Sequence, residues 1–107
     1  MKMILAIVSD DDSSAVSSAI TGEGFQITKL STTGGLLRSG NTTFICAVKD
    51  DKVDAVLDII KANSSKREQL IPNPMTVDMD AYALYPVQVT VGGAAVFVWD
   101  IEKFIKF

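Results

Sequence analysis

The stretch Met3-Ile-Leu-Ala-Ile-Val8 decides the fold, because it is a continuous apolar run with β-branched residues near the start of the chain. Such a run is typical of a central β-strand that helices cover on at least one face. It is too short to span a membrane, and Ser9 and three aspartates follow it where a signal peptide would show a cleavage site. We therefore interpret it as a buried strand.

Two segments downstream of this strand predict helices. The first begins at the Asp10–Ser14 cluster, which offers N-caps and first-turn carboxylates, and it ends at Gly22 and Gly24. The second, Asp50–Ala62, has the i, i+3, i+4, i+7 spacing of a stripe that faces a core. The residues of this stripe are Val53, Val56, Leu57 and Ile60.

Further strands are predicted at Phe25–Leu30 and Thr43–Val48. Alternation places Phe25 and Ile27 on one face of the earlier strand and Gln26, Thr28 and Leu30 on the other. Cys46, in the later strand, is most simply a small core residue.

The segment Tyr85–Trp99 contains two alternating stretches separated by Gly92-Gly93. A two-residue turn there would pair Val91 with Ala94, so a hairpin is the first choice and a glycine bend in one long strand is the alternative. Asp100–Phe107 is expected to form a short terminal helix or turn.

Two polar segments, about 31–42 and 64–84, predict long flexible loops. The earlier one combines glycines and hydroxyls with Arg38, which is the composition of a loop that cradles an anion, although an ordinary polar connection has the same composition. The later one contains Pro72 and Pro74, which block regular structure.

This order of elements predicts one domain, residues 1–107, with an α+β fold: a ferredoxin-like βαββαβ sandwich with an extra C-terminal hairpin. Its bare sheet face is expected to carry Phe25, valines or Trp99. Self-association is the ordinary way to cover such a face.

Composition excludes several classes of function. A net charge of −3 argues against a dedicated nucleic-acid binder. A single cysteine, Cys46, gives no disulfide framework and suits a reducing cytoplasm, and the chain has no histidine to activate that thiol. The Asp10–Asp12 triplet is better read as a helix cap than as a metal site, so no metal is expected.

Several strings in the chain are more specific than these patterns. They are Lys29–Phe44, with Thr32-Thr-Gly-Gly35 and Gly40-Asn-Thr-Thr43 inside it, then Arg67-Glu-Gln69, Tyr85-Pro-Val87 and Val91–Val98. Together they resemble the PII-like cyclic-di-AMP receptor family of Gram-positive bacteria, over nearly the whole chain.

The resemblance implies a PII-like homotrimer with one cyclic-di-AMP in each of three clefts between subunits. It implies no catalytic activity, no cofactor, and no nucleic-acid or membrane partner. In this family the loop after the second strand and the loop before the last strands change conformation on binding, which would relay the signal to an unidentified downstream protein.

The resemblance also implies a set of ligand-binding residues. They are Gln26, Thr28, Gly34, Gly35, Leu36, Leu37, Arg38, Asn41, Ala47 and Lys106. Of these, Thr28, Gly35, Leu37 and Asn41 keep the types expected in the family.

Four positions depart from the family pattern. Gln26 stands where relatives usually have Arg, and Leu36 stands where a Phe usually stacks on adenine. Gly24 replaces an Asn, and Lys106 replaces a Gln and adds a positive charge. Loss of one stacked base and one charge-assisted phosphate contact would each weaken binding by about 1–3 kcal/mol.

Three hypotheses follow. The first is a sensor of cyclic-di-AMP, and the second is a PII-like trimer that senses a different nucleotide because Gln26 and Leu36 depart from the pattern. The third is a small enzyme that uses Asp10–Asp12, or Asp78 and Asp80, as acid or base. It is disfavoured because the chain has no histidine and no nucleophile with a positioned base.

Overall fold

The chain folds into a layered α+β structure, described by a computed structural model for residues 1–30, 40–71 and 87–107. A 3-10 turn at Asp50–Lys52 precedes the second helix. In chain order the elements are β1 (Lys2–Ser9), α1 (Asp10–Gly22), β2 (Thr28–Leu30), β3 (Asn41–Val48), α2 (Val53–Ser64), β4 (Arg67–Ile71), β5 (Val87–Val91) and β6 (Ala94–Asp100).

The main sheet has the strand order β2-β3-β1-β6, and every neighbouring pair in it is antiparallel. The helices α1 and α2 contact each other and pack on one face of this sheet. Strands β4 and β5 form a separate antiparallel pair. The main sheet and its two helices agree with the predicted ferredoxin-like sandwich.

The central strand β1 has apolar side chains on both faces. Its residues Ile4, Ala6 and Val8 point toward the helices and are at most 2% exposed. They form the core with buried side chains of both helices and of β3. The helix residues of that core are Val16, Ile20, Val56 and Ile60.

The other face of the sheet has no helix on it among the described residues, and we call it the open face. It is defined by alternation from the core positions and by the strand register. Its apolar residues are Met3, Leu5 and Ile7 on β1, Ile45 and Ala47 on β3, and Ala95, Phe97 and Trp99 on β6. Phe97 is 55% exposed and Trp99 is 47% exposed.

The prediction that Phe25 lies on the bare face is wrong. Phe25 and Ile27 pack against the core, and regular pairing of this segment is confined to Thr28–Leu30. The alternation predicted for this strand is nevertheless correct, because the Phe25 and Ile27 side chains both lie on the side that faces the core.

The hairpin predicted across Gly92-Gly93 does not form. β5 pairs with β4, with Val89 opposite Gln69, and β6 pairs with β1, with Val96 opposite Ala6. The two glycines have φ of 78° and 94° and turn the chain from one sheet to the other. The structure therefore has a bend at the glycines, which was the alternative prediction. The strands added to the ferredoxin-like sandwich are the antiparallel pair β4–β5, which lies between α2 and β6 in the chain.

Two further expectations need correction. The segment expected as a loop at 64–84 contains β4 at Arg67–Ile71, which is paired by β5 from about twenty residues downstream. No helix forms in Ile101–Phe107, which has no regular secondary structure.

The earlier predicted loop, 31–42, overlaps the next strand, because Asn41 and Thr42 already belong to β3. Residues 31–39 and 72–86, which contain most of the two predicted loops, lie outside the described residues.

The turn at Gly92 sits against an ion pair that joins α1 to β4. Arg67 Nη2 lies 2.8 Å from Asp12 Oδ1, and the Asp12 side chain is only 7% exposed. Arg67 Nη1 also donates to the Ser65 carbonyl oxygen at 3.2 Å. A Cβ on Gly92 would lie 2.5 Å from Arg67 Nη1 and 2.9 Å from the Ser65 oxygen, so only glycine fits.

We expect Gly92→Ala to destabilise the protein more than Gly24→Ala. Both glycines have positive φ, and alanine costs about 1–2 kcal/mol in such a conformation. Gly24 has open space around its Cβ position, whereas Gly92 faces Arg67 and Ser65, which adds about 1–3 kcal/mol of overpacking. Urea unfolding of both variants measures this difference, and equal losses of stability would contradict the role given to the close contact.

Candidate functional site

A cleft of about 450 Å³ opens on the open face of the sheet. Its walls come from β1 and Met1 before it, from β2 and Gln26 two residues before it, from β3, and from the C-terminal segment. The residues that line it are Met1, Met3, Gln26, Thr28, Ile45, Ala47, Phe104 and Lys106. Its volume is in the usual range for sites that bind small molecules.

The cleft collects four of the residues that the sequence predicts as ligand contacts. Gln26, Thr28, Ala47 and Lys106 all line it, although they are spread over eighty residues of chain. Five more predicted contacts lie outside the described residues: Gly34, Gly35, Leu36, Leu37 and Arg38.

Asn41, the remaining predicted contact, does not line the cleft. It is the first residue of β3 and pairs with Ser9, whereas Ala47 pairs with Met3 toward the other end of the same strand. Six residues of extended chain separate Asn41 from Ala47, which is about 20 Å. Within one protomer these two predicted contacts therefore lie far apart.

Gln26 and Thr28 reach the cleft because of the alternation in the segment that ends in β2. Phe25 and Ile27 are partly buried and pack against the core, so the side chains between and after them point to the open face. Thr28 pairs with Ile45 in the register of β2 and β3, and both line the cleft. The polar wall is thus fixed by the packing of two apolar neighbours.

The C-terminal segment forms the opposite part of the cleft. The Ile101 amide donates to the Met1 carbonyl oxygen at 3.0 Å, and Lys2 forms an ion pair with Asp100, so the end of β6 is attached to the start of β1. Beyond this point Phe104 and Lys106 line the cleft. The segment expected to form a terminal helix or turn thus has no regular secondary structure and forms one wall of the cleft.

Sequence reasoning missed four residues that line the cleft: Met1, Met3, Ile45 and Phe104. The strand positions Met3 and Ile45 carried a usable signal, because each is two residues from another position on the same face of its strand. Phe104 had none, since its segment has no regular structure and its place depends on contacts with β1.

The electrostatic character of the cleft is mildly positive. Lys106 is the one charged side chain among the described residues that line it. A cation beside the amide of Gln26 and the hydroxyl of Thr28 suits an anionic ligand with hydrogen-bonding groups. Met3, Ile45, Ala47 and Phe104 add an apolar surface suited to a flat ring.

Cys46 lies on the other side of β3, in the core. It is 4% exposed, and burial raises the pKa of its thiol. A raised pKa keeps the sulfur protonated and unreactive at neutral pH. The prediction that Cys46 is a small core residue is confirmed.

The acidic triplet at the start of α1 is engaged in structural contacts. Ser9 caps the helix by accepting from the Asp11 amide, and Asp10 accepts a hydrogen bond from Thr42 Oγ1 at 2.6 Å. Asp12 binds Arg67, and this contact raises the pKa of the guanidinium. Asp78 and Asp80, the other acidic residues of the enzyme hypothesis, lie outside the described residues.

Two further observations concern the described residues only. Within 1–30, 40–71 and 87–107 no three side chains of the metal-binding types come together to hold an ion. Neither α1 nor α2 has the length and apolar character needed to cross a bilayer.

Comparison with known proteins now places the chain. The model of a family described as cyclic-di-AMP receptor matches residues 1–107, which is the whole chain. The chain belongs to the cyclic-di-AMP receptor family. The predicted resemblance is therefore confirmed, and with it the expectation, at the level of the family, of a signalling receptor for cyclic-di-AMP.

A solved structure supports the fold independently. It is the crystal structure of a functionally unknown protein from Pediococcus pentosaceus ATCC 25745, which is 42% identical in sequence to this chain. The match covers 99% of this chain and 96% of that one, with a TM-score of 0.77.

Proposed function

We propose that this receptor binds cyclic-di-AMP in the open-face cleft, without catalysis, as a homotrimer whose clefts lie between subunits. The observation that carries the proposal is the convergence of Gln26, Thr28, Ala47 and Lys106 on one cleft. Gln26 and Thr28 share a face through local alternation, but Ala47 on β3 and Lys106 in the C-terminal segment reach the same cleft only through the tertiary fold. Membership of a receptor family supports a binding role over a catalytic one.

The chemistry of the cleft suits a cyclic dinucleotide. Such a ligand has two phosphodiester charges and two flat bases, so it needs hydrogen-bond donors and a cation beside an apolar surface. Gln26 and Thr28 supply hydrogen-bonding groups and Lys106 supplies the cation, while Ile45 and Ala47 belong to the apolar surface. Gly34, Gly35, Leu36, Leu37, Arg38 and Asn41 complete the proposed set of contacts.

The open face supports the homotrimer. Its exposed residues Phe97 and Trp99 lie on β6, and among the described residues no helix covers them. A sheet face of this size and apolarity is unfavourable in water, and burial against other copies of the chain removes it from solvent. The cleft opens on the same face, so a second copy would also close the site.

The signal would pass through the segments that follow β2 and precede β5 to an unidentified downstream protein. The first turn of α1 touches the chain beside both segments concerned: the Asp10 amide donates to the Gly40 carbonyl oxygen at 2.9 Å, and Asp12 binds Arg67 at the start of β4. Rearrangement of either segment would therefore act on the same helix turn.

A second candidate is a PII-like trimer that senses a different nucleotide. Gln26 lies in the cleft where the family usually has an arginine, and an amide is a weaker partner for phosphate than a guanidinium. This substitution is the specific observation that favours the alternative.

A calorimetric titration separates the two candidates. We expect cyclic-di-AMP to release heat at micromolar concentrations and to saturate at one ligand per protomer, and ATP and cyclic-di-GMP to bind at least tenfold more weakly. Preferential binding of either competitor would favour the alternative. Absence of binding by cyclic-di-AMP at high micromolar concentration would refute the leading proposal.

We expect Gln26→Arg to tighten binding of cyclic-di-AMP by about tenfold, because a charge-assisted hydrogen bond to phosphate contributes about 1.5–3 kcal/mol. The matched control is Gln69→Arg, which adds the same charge on the exposed strand β4, away from the cleft. The effect of Gln26→Arg should shrink at high salt. Equal effects of the two variants would show that only net charge matters.

We expect Phe97→Asp to reduce the trimer to monomers, because it places a charge among the exposed apolar residues of the open face. Leu70→Asp on β4 is the control, since Leu70 is 66% exposed and does not belong to that face. Sedimentation velocity measures the outcome. A wild-type monomer, or a trimer that survives Phe97→Asp unchanged, would contradict assembly through this face.

A further inference from the structure

The cleft contains one aromatic side chain among the described residues, and it is Phe104 in the C-terminal segment. Phe104 is 58% exposed, although it lines the cleft together with apolar residues. An aromatic residue of this exposure has surface available to a ligand in the cleft.

The alternation of the C-terminal segment places two different chemical groups on the same side. Phe104 and Lys106 line the cleft, whereas Ile105 and Phe107 do not and are 56% and 111% exposed. A flat apolar ring and a cation two residues apart match the base and the phosphate of one nucleotide. Ile105 and Phe107 do not line the cleft, so neither is placed to contact a base or a phosphate in it.

The opposite wall of the cleft leaves room for this arrangement. Gln26 lies two residues before β2 and Thr28 is the first residue of β2; both side chains are polar, and neither provides an aromatic surface on which a base can stack. The floor residues Ile45 and Ala47 are aliphatic. Among the described residues, a base in this cleft therefore finds an aromatic partner only in Phe104.

We propose that Phe104 is the residue on which an adenine of cyclic-di-AMP stacks, with Lys106 beside the adjoining phosphate. This inference rests on the proposed binding of cyclic-di-AMP in the cleft. It assigns to the C-terminal segment the stacking role that the resemblance assigns to position 36, where this chain has Leu.

The test compares three variants in titrations with cyclic-di-AMP. Phe104→Leu keeps an apolar side chain but loses the ring, and we expect its dissociation constant to rise by about tenfold or more, from the loss of one base stack. Phe104→Tyr keeps the ring and should bind within about threefold of the wild type. Phe107→Leu is the matched control and should bind as the wild type does.

Nuclear magnetic resonance gives a readout that a structural effect would not mimic. The adenine ring protons of bound cyclic-di-AMP should shift upfield with wild type and Phe104→Tyr, and this shift should largely vanish with Phe104→Leu. Thermal unfolding and sedimentation should show that all three variants keep the fold and the assembly of the wild type.

The outcomes separate this inference from the function on which it rests. Wild-type binding that survives unchanged in Phe104→Leu, with the upfield shift intact, overturns the stacking role and leaves the receptor function standing. Failure of the wild type to bind cyclic-di-AMP overturns both. Equal weakening by Phe104→Leu and Phe107→Leu also overturns the stacking role, because it shows a general effect of the segment.

Discussion

The rest of the structure depends on strand β1, which is apolar on both faces and has a partner on each edge. Its pairing with β3 and β6 makes it the centre of the sheet, and the alternation of its side chains creates two different surfaces. The side chains of Ile4, Ala6 and Val8 are buried in the core beneath the helices. Their neighbours Met3, Leu5 and Ile7 belong to the open face, so one continuous apolar run supplies both the core and the apolar character of the opposite face.

A second constraint holds the β4–β5 pair on this body. The Asp12 carboxylate is buried and would be costly without a partner, and Arg67 supplies the partner while half of its own side chain stays in water. Gly92 permits the close approach, and the Gly93 amide donates to the Ser64 carbonyl oxygen at the end of α2. The starts of α1 and β4, the end of α2 and the turn at Gly92 thus meet at one ion pair with a buried carboxylate, which fixes where the extra strands leave the domain.

Much of the fold could be predicted from the sequence because its signals are local. The core stripe of α2 and the alternation from Phe25 to Thr28 depend on neighbouring residues, and both are confirmed. The partner of β5 could not be predicted, since the valines of 87–91 fit a local hairpin as well as a pairing with β4. Strand β4 itself is polar at Arg67-Glu-Gln69, and only its distant partner makes it a strand.

The residues of the candidate site also divide into those that the sequence could predict and those that only the tertiary structure reveals. Gln26, Thr28, Ala47 and Lys106 came from the family resemblance, residue by residue, and the structure brings these four to one cleft, while their role as ligand contacts stays a prediction. Phe104 was not predictable, because its position follows from the attachment of Ile101 to Met1, a contact between the two ends of the described chain. The sequence predicted a short helix or turn for this segment, and the structure has no regular secondary structure in its last seven residues.

The geometry of β3 bears on how a ligand could use all the proposed contacts. Asn41 and Ala47 belong to one strand but lie about 20 Å apart, while the cleft has a volume of about 450 Å³ and occupies the Ala47 end. A ligand seated between Thr28 and Lys106 therefore meets an Asn41 most directly if that residue comes from a second protomer. The distance within one chain is in this way an argument for a site shared between subunits, and it is independent of the exposed apolar residues on the open face.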